Sequence, residues 1–164
     1  MIAIIPTYSL ITMSETHAMK ICEWRYAAPY DTYNWPAWDI VQKLEIEFGD
    51  HDIRSSQYRS IIDGNETLIG FVQLFTLLET VRISLFLAPA FCGNGIGGQA
   101  IHWAIDEALL SYPNYEIDLE VETWNKRAIA CYLRAGFNIS DQYELPSRTG
   151  QPMKEVFCMV YEPA

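Results

Sequence analysis

At 164 residues, 50% of them hydrophobic and 20% charged, the chain can bury roughly two-thirds of its unfolded surface in one domain. Eleven Lys and Arg against 21 Asp and Glu leave a formal charge of −10. That balance argues against nucleic acid as a direct partner, because phosphate contacts need clustered basic side chains. It is compatible with a cationic substrate drawn in by a negative field, and equally with a charge that keeps the protein soluble.

No apolar run approaches the ~20 residues of a membrane span. Met1 to Pro6 is apolar, but the first basic residue is Lys20, so neither a signal peptide nor a membrane anchor is expected. Cys22, Cys92, Cys131 and Cys158 show no CxxC pairing and no metal-ligand spacing, and read as reduced thiols of a cytosolic protein that needs no metal. The sequons at Asn65 and Asn138 carry no meaning in that compartment.

Residues 2 to 8 read as a short edge strand, with Pro6 tolerated there. Thr12-Met-Ser-Glu15 matches a capping box and predicts a helix to about Trp24. An aromatic-rich segment follows, from Trp24 to Trp35, and a second helix is expected from Pro36 to Gly49. The period then changes. Tyr58 to Ile62 and Thr67 to Leu77 read as strands joined by the turn Asp63-Gly-Asn-Glu66, and Val81 to Leu87 as a third.

Next come four glycines within six residues, Gly93, Gly95, Gly97 and Gly98, opening a helix with an apolar stripe at Gly97, Ile101, Ala104, Ile105, Ala108 and Leu109. Glu116 to Glu122 alternates acid with aliphatic, which is a strand. Asn125 to Ala135 is helical and closed by Gly136. Strands near Asn138 to Leu145 and Met153 to Tyr161, with a loop from Pro146 to Pro152, complete the chain. The order predicts a single α+β domain over 1–164. Its sheet is mostly antiparallel, of about six to seven strands, with about four helices and one β-α-β crossover.

The glycine segment is physically a phosphate cradle. Glycines permit positive φ and close backbone approach, and the amides of a helix N-terminus favour an anion. Gly93-Asn-Gly95-Ile-Gly-Gly98 also satisfies the dinucleotide fingerprint, with Asp118 about 20 residues on. Against that reading, Ala88 to Cys92 separates the strand from the first glycine, and too few β-α units follow to build a doubly wound sheet. A P-loop lacks its Lys-Ser or Lys-Thr.

Leu85-Phe-Leu-Ala-Pro89 followed by Cys92-Gly-Asn-Gly-Ile-Gly97 resembles the acetyl-CoA loop of the GNAT N-acetyltransferases. Asn125-Lys-Arg-Ala128-x-x-x-Tyr132-x-x-x-Gly136-Phe137 is similar to a second block of that family. The two blocks stand in the family's order, one helix and one strand apart. Cys92 departs from the pattern, replacing an Arg or Gln that helps hold the loop. Trp24-x-Tyr26-x-x-Pro29-Tyr30 resembles the N-terminal part of a bacterial subgroup.

The resemblance implies the GNAT fold and transfer of an acetyl group from acetyl-CoA to a primary amine of a small molecule or peptide, by direct attack in a ternary complex. It also implies cofactor contacts from Gly93, Asn94, Gly95, Ile96, Gly97, Gly98 and Asn125, and from the backbone of Leu85, Phe86 and Leu87. An amine of pKa about 10.4 must lose a proton, and a thiolate of pKa near 8.5 must gain one.

Tyr132 aligns with the family's proton donor, while its packing beside Ala128 and Ala135 is the plainer reading. Asn125 reads as a helix cap as well as a cofactor contact. Glu120 is the candidate base by resemblance to ribosomal-protein acetyltransferases; by parity it shares a strand face with Asp118 and Glu122. Glu79 or water is the fallback. Trp24, Tyr26, Tyr30 and Tyr33, with Trp35 and Trp38, are candidates for an acceptor side that binds a cationic or aromatic amine; half of these rings are expected in the core. His102 reads as a surface or core histidine rather than a catalyst, and Cys131 as a small apolar filler. Dimers are common in the family. A silent CoA-binding module, and a dinucleotide-dependent reductase, are the alternative functions.

Overall fold

The computed structural model describes residues 7–147 and 151–163. The chain forms a mixed α+β fold on a seven-stranded sheet, with five α-helices among the described residues. The strands are β1 Ser9–Thr12, β2 Tyr58–Ile62, β3 Leu68–Leu77, β4 Thr80–Leu87, β5 Glu116–Glu122, β6 Phe137–Leu145 and β7 Lys154–Tyr161. The helices are α1 Glu15–Glu23, α2 Trp38–Lys43, α3 His51–Gln57, α4 Ile96–Ser111 and α5 Lys126–Ala135. The sheet order is β1-β2-β3-β4-β5-β7-β6. β4 and β5 are parallel, whereas β1–β2, β2–β3, β5–β7 and β6–β7 are antiparallel.

The chain divides into two compact units. Of the described residues, the first holds those within 7–73 and 85–94, and the second those within 74–84, 95–147 and 151–163. In the first unit α1, α2 and the strands enclose Ala18, Ile21, Cys22, Val41, Phe48, Tyr58 and Phe71. Phe48 is fully buried, with Trp35, Tyr58 and Phe71 ring centroids at 4.3, 5.4 and 6.0 Å. Its burial contributes about 1.5–3 kcal/mol, and the edge contacts add to that. Gly70 leaves no room for a side chain against β4: a Cβ there would lie 2.6 Å from the carbonyl oxygen of Phe86.

In the second unit Ile101, Ala104, Ile105 and Ala108 form the buried stripe of α4, and α4 packs beside α5. Ile117, Leu119 and Val121 are the buried aliphatic face of β5. Leu109, expected in the α4 stripe, is instead 43% exposed.

Several boundaries differ from expectation. The strand expected at residues 2–8 falls mostly outside the described residues; β1 starts at Ser9, and Thr12 is paired to Arg59 within it. With Thr12 drawn into the sheet, the cap is Ser14, whose Oγ accepts from the His17 amide at 3.1 Å.

The helix expected from Pro36 to Gly49 is cut to six residues. Glu45 and Glu47 take φ of 50° and 48°, and residues 47–49 form a 3₁₀ turn. α3 is a helix the periodicity did not signal, and its start was legible in Asp50, whose Oδ1 accepts from the amides of Asp52 and Ile53. The loop expected at 146–152 includes residues 148–150, which lie outside the described residues.

Candidate active site

The glycine segment begins at the end of β4. Pro89–Phe91 make a single 3₁₀ turn, and Gly93 and Gly95 take φ of 78° and 79°. Those values are left-handed, so these two positions favour glycine for backbone reasons alone. A Cβ at Gly93, Gly95 or Gly98 would meet nothing within 4 Å.

Gly95 is the N-cap of the sixteen-residue α4, with no side chain bonded to the first amides and no acid in the first turn. The N-terminal amides therefore have no protein acceptor from a cap, and the helix dipole adds positive character there. Together these features fit a pyrophosphate: open space at the glycines, uncapped donors and no acidic residue in the first turn.

Cys92 has taken a local role in place of an Arg or Gln. Its thiol donates to the carbonyls of Ala88 and Leu87, at 3.5 and 3.7 Å. The Tyr26 hydroxyl donates to the same Leu87 oxygen at 2.6 Å. Burial, with Cys92 adding to it, pushes the Tyr26 phenol well above its ordinary range, so it stays a donor.

The remaining aromatic candidates divide. Trp24 stacks on Phe71 at 6.0 Å and belongs to the packed core, as Trp35 does through Phe48. Tyr33 meets Phe86 edge-on at 5.5 Å. Tyr30 and Tyr33 form a 3₁₀ turn with Asp31 and Thr32, and both rings are half-buried.

In the second unit the acids of β5 are not a solvated row. Arg82 grips Asp118 through two bonds, Nε to Oδ1 at 3.0 Å and Nη2 to Oδ2 at 2.8 Å. Its third nitrogen, Nη1, reaches Oε1 of Glu120 at 3.0 Å. The other oxygen of Glu120 accepts from the Tyr143 hydroxyl. Glu122 pairs with Lys154 at 3.3 Å, and the Cys158 thiol points at Asp118.

The bonds to Asp118 push Arg82 above its ordinary value, and burial followed by the bond to Glu120 does the same to Tyr143. Of this network only the acids stand out along the sequence. Arg82, Tyr143 and Lys154 were legible in part: a lone Arg on the strand preceding an acidic one is a natural partner, whereas Tyr143 required the β6–β7 register. Glu79 stands in the β3–β4 turn, exposed, with its carbonyl accepting from the Glu116 amide.

α5 is placed by two caps. Asn125 Oδ1 accepts from the Ala128 amide at 3.2 Å, and Gly136 takes φ of 107° at the other end. Tyr132 is half-buried on this helix, with its ring edge-on to Phe137 at 6.1 Å. Burial raises the Cys131 thiol, which suits a packing residue rather than a nucleophile.

The acetyltransferase (GNAT) family model matches residues 18–137, the span that contains both motif blocks and the uncapped helix start. The chain belongs to the GNAT acetyltransferase family. No curated protein sequence matches it. Solved structures share its fold. A spermidine N-acetyltransferase SpeG chimera from Vibrio cholerae and hSSAT has 18% identity over 94% of each chain and a TM-score of 0.73. The Vibrio cholerae spermidine/spermine N-acetyltransferase SpeG in complex with manganese ions has 17% identity over 93% of this chain and 91% of its own, with a TM-score of 0.70. A dodecameric spermidine N-acetyltransferase from Vibrio cholerae has 19% identity over 93% and 92%, again with 0.70.

Like other GNAT enzymes this chain is an acyltransferase, and the family uses acetyl-CoA as cosubstrate. The mixed, mostly antiparallel sheet of this GNAT chain is not the doubly wound parallel sheet that a dinucleotide reductase would need. Among its described residues there is no group of three or more His, Cys, Asp or Glu placed to hold a metal ion, and no helix long and apolar enough to cross a membrane.

Proposed function

We propose that residues 1–164 act as one N-acetyltransferase domain that transfers the acetyl group of acetyl-CoA to a primary amine of a small molecule or peptide. The observation that carries this reading is the open, uncapped start of α4 behind Gly93 and Gly95. The amides from Gly93 to Gly98 would hold the pyrophosphate. Leu85, Phe86 and Leu87 would pair with the pantetheine arm, and Asn125 would add a contact. Acetyl-CoA brings an activated thioester, and the chain supplies the proton transfers.

Tyr132 donates to the leaving thiolate: a phenol of pKa near 10 can do so to a group near 8.5. Glu120 accepts the proton of the ammonium, held in one orientation by Arg82 and Tyr143; Glu79 and water are the lesser choices for that role. Tyr30 and Tyr33 line the acceptor side. The net charge of −10 suits a cationic acceptor.

Because several neighbours in structure are spermidine N-acetyltransferases, linear polyamines head the panel of amines to test. The assay follows release of the CoA thiol with polyamines, lysine peptides and aromatic amines. Turnover with at least one amine is expected. Binding of acetyl-CoA with no release from any amine would leave a silent CoA-binding module instead. The protein is proposed to be cytoplasmic and to form a homodimer, which light scattering on the eluted protein would test.

A further inference from the structure

The first unit contains a peptide group fixed on both sides. Between Leu87 and Ala88, at the point where β4 gives way to the glycine segment, the Ala88 amide donates to Ile69 at 2.9 Å. The Leu87 carbonyl accepts from the Tyr26 hydroxyl at 2.6 Å and lies 3.7 Å from the Cys92 thiol. The following turn is built on the Ala88 carbonyl. That oxygen accepts the Phe91 amide at 2.9 Å and the Cys92 thiol at 3.5 Å, while the Asn94 side chain donates to Ala90 at 3.4 Å.

Tyr26 is itself immobilised, because its amide donates to Asn34 Oδ1 at 2.8 Å. Tyr33, seven residues further along, is edge-on to Phe86, the residue preceding Leu87. The aromatic segment is thus tied at two successive residues of β4, both just before the turn.

We propose that Tyr26 is a positioning residue for the acetyl-CoA loop: its hydroxyl fixes the Leu87–Ala88 peptide plane from which the turn of residues 89–94 is hung. This rests on the acetyl-CoA reading above, and it moves Tyr26 from the acceptor side to the cofactor side. It also accounts for Cys92. Where the family pattern has an Arg or Gln, here a half-buried phenol takes the main hydrogen bond to the Leu87 carbonyl and a small thiol makes the longer one. A thiol is a weak donor, so the greater share falls to Tyr26.

The test is Tyr26→Phe, which keeps the ring and removes the hydroxyl. Acetyl-CoA affinity, measured by calorimetry, is expected to fall about threefold to tenfold, the worth of one hydrogen bond. KM for the amine should not change. In the protein without ligand, amide exchange over residues 88–94 should accelerate. Asn34→Ala, which frees the Tyr26 backbone, should shift affinity and exchange in the same direction and serves if Tyr26→Phe folds poorly.

Unchanged affinity with unchanged exchange would overturn the positioning role while leaving the acetyl-CoA reading intact. A raised amine KM with unchanged acetyl-CoA affinity would overturn it too, returning Tyr26 to the acceptor side. A wild-type protein that binds no acetyl-CoA would remove both readings together.

Discussion

Removing Arg82 tests whether the acids of β5 are held by one guanidinium. In Arg82→Ala, Asp118 loses two charge-assisted bonds of 3.0 and 2.8 Å and Glu120 loses one of 3.0 Å. Breaking a buried ion pair from one side costs about 3–5 kcal/mol. The Asp118 side chain is only 8% exposed, but Arg82 and Glu120 are 26% and 20% exposed, so solvent screens part of the loss. The expected cost is therefore about 2–4 kcal/mol.

A double-mutant cycle then separates the partners. Arg82 with Asp118 should couple by about 2–3 kcal/mol, and Arg82 with Glu120 by ~1 kcal/mol, because the first contact is two-pronged and drier. Urea unfolding followed by far-UV circular dichroism measures both, with m unchanged. A cost below about 1 kcal/mol for Arg82→Ala, or equal couplings, would refute the reasoning. Replacing Arg82 with Met and Asp118 with Leu together should restore most of the stability, since an apolar pair of similar volume substitutes well for a buried ion pair.

Tyr132→Phe should lower kcat and leave acetyl-CoA affinity unchanged; lost affinity with turnover preserved would remove the proton-donor role. Glu120→Gln presents an amide where Arg82 and Tyr143 need acceptors, so it should cost about 1–2 kcal/mol of stability. If Glu120 is the base, the acidic limb of the pH–rate profile should also move, whereas a stability loss with the profile unmoved would transfer the role to water or Glu79. Gly95→Ala meets open space but requires a left-handed alanine, so it should cost about 1 kcal/mol by thermal unfolding. Full stability there would contradict the loop conformation.

Burial, with Lys20 adding to it, lowers the pKa of His17, whose Nδ1 lies 2.8 Å from the buried Ser60 hydroxyl. The unfolded chain near 6.5 then takes up a proton more readily than the folded one. Stability should be full above about pH 6.5 and decline as pH falls through the folded-state value. His17→Gln should flatten that decline in unfolding measured from pH 7 to 5.

Much of the fold was readable along the chain because its signals are local. The alternation from Glu116 to Glu122, the 3.6-residue stripe from Ile101 to Ala108, and the caps Asn125 and Gly136 each depend only on near neighbours. So do the positive-φ glycines that make the loop a cradle. The failures had the opposite cause. Thr12 was passed over as a cap because a partner strand 47 positions away took it into the sheet. The second helix broke ahead of Glu45 and Glu47, which take left-handed backbone although glutamate has no intrinsic preference for it.

The sequence by itself determined the family, the cradle and the helix that carries Tyr132, since each is written in residues adjacent along the chain. Only the tertiary structure decided what the polar side chains do. Asp118 and Glu120 are 36 and 38 residues from the Arg82 that holds them both, and Tyr26 is 61 residues from the carbonyl it fixes. A hydrogen bond between distant residues is selected by strand register and packing, and neither is encoded at the position of either partner.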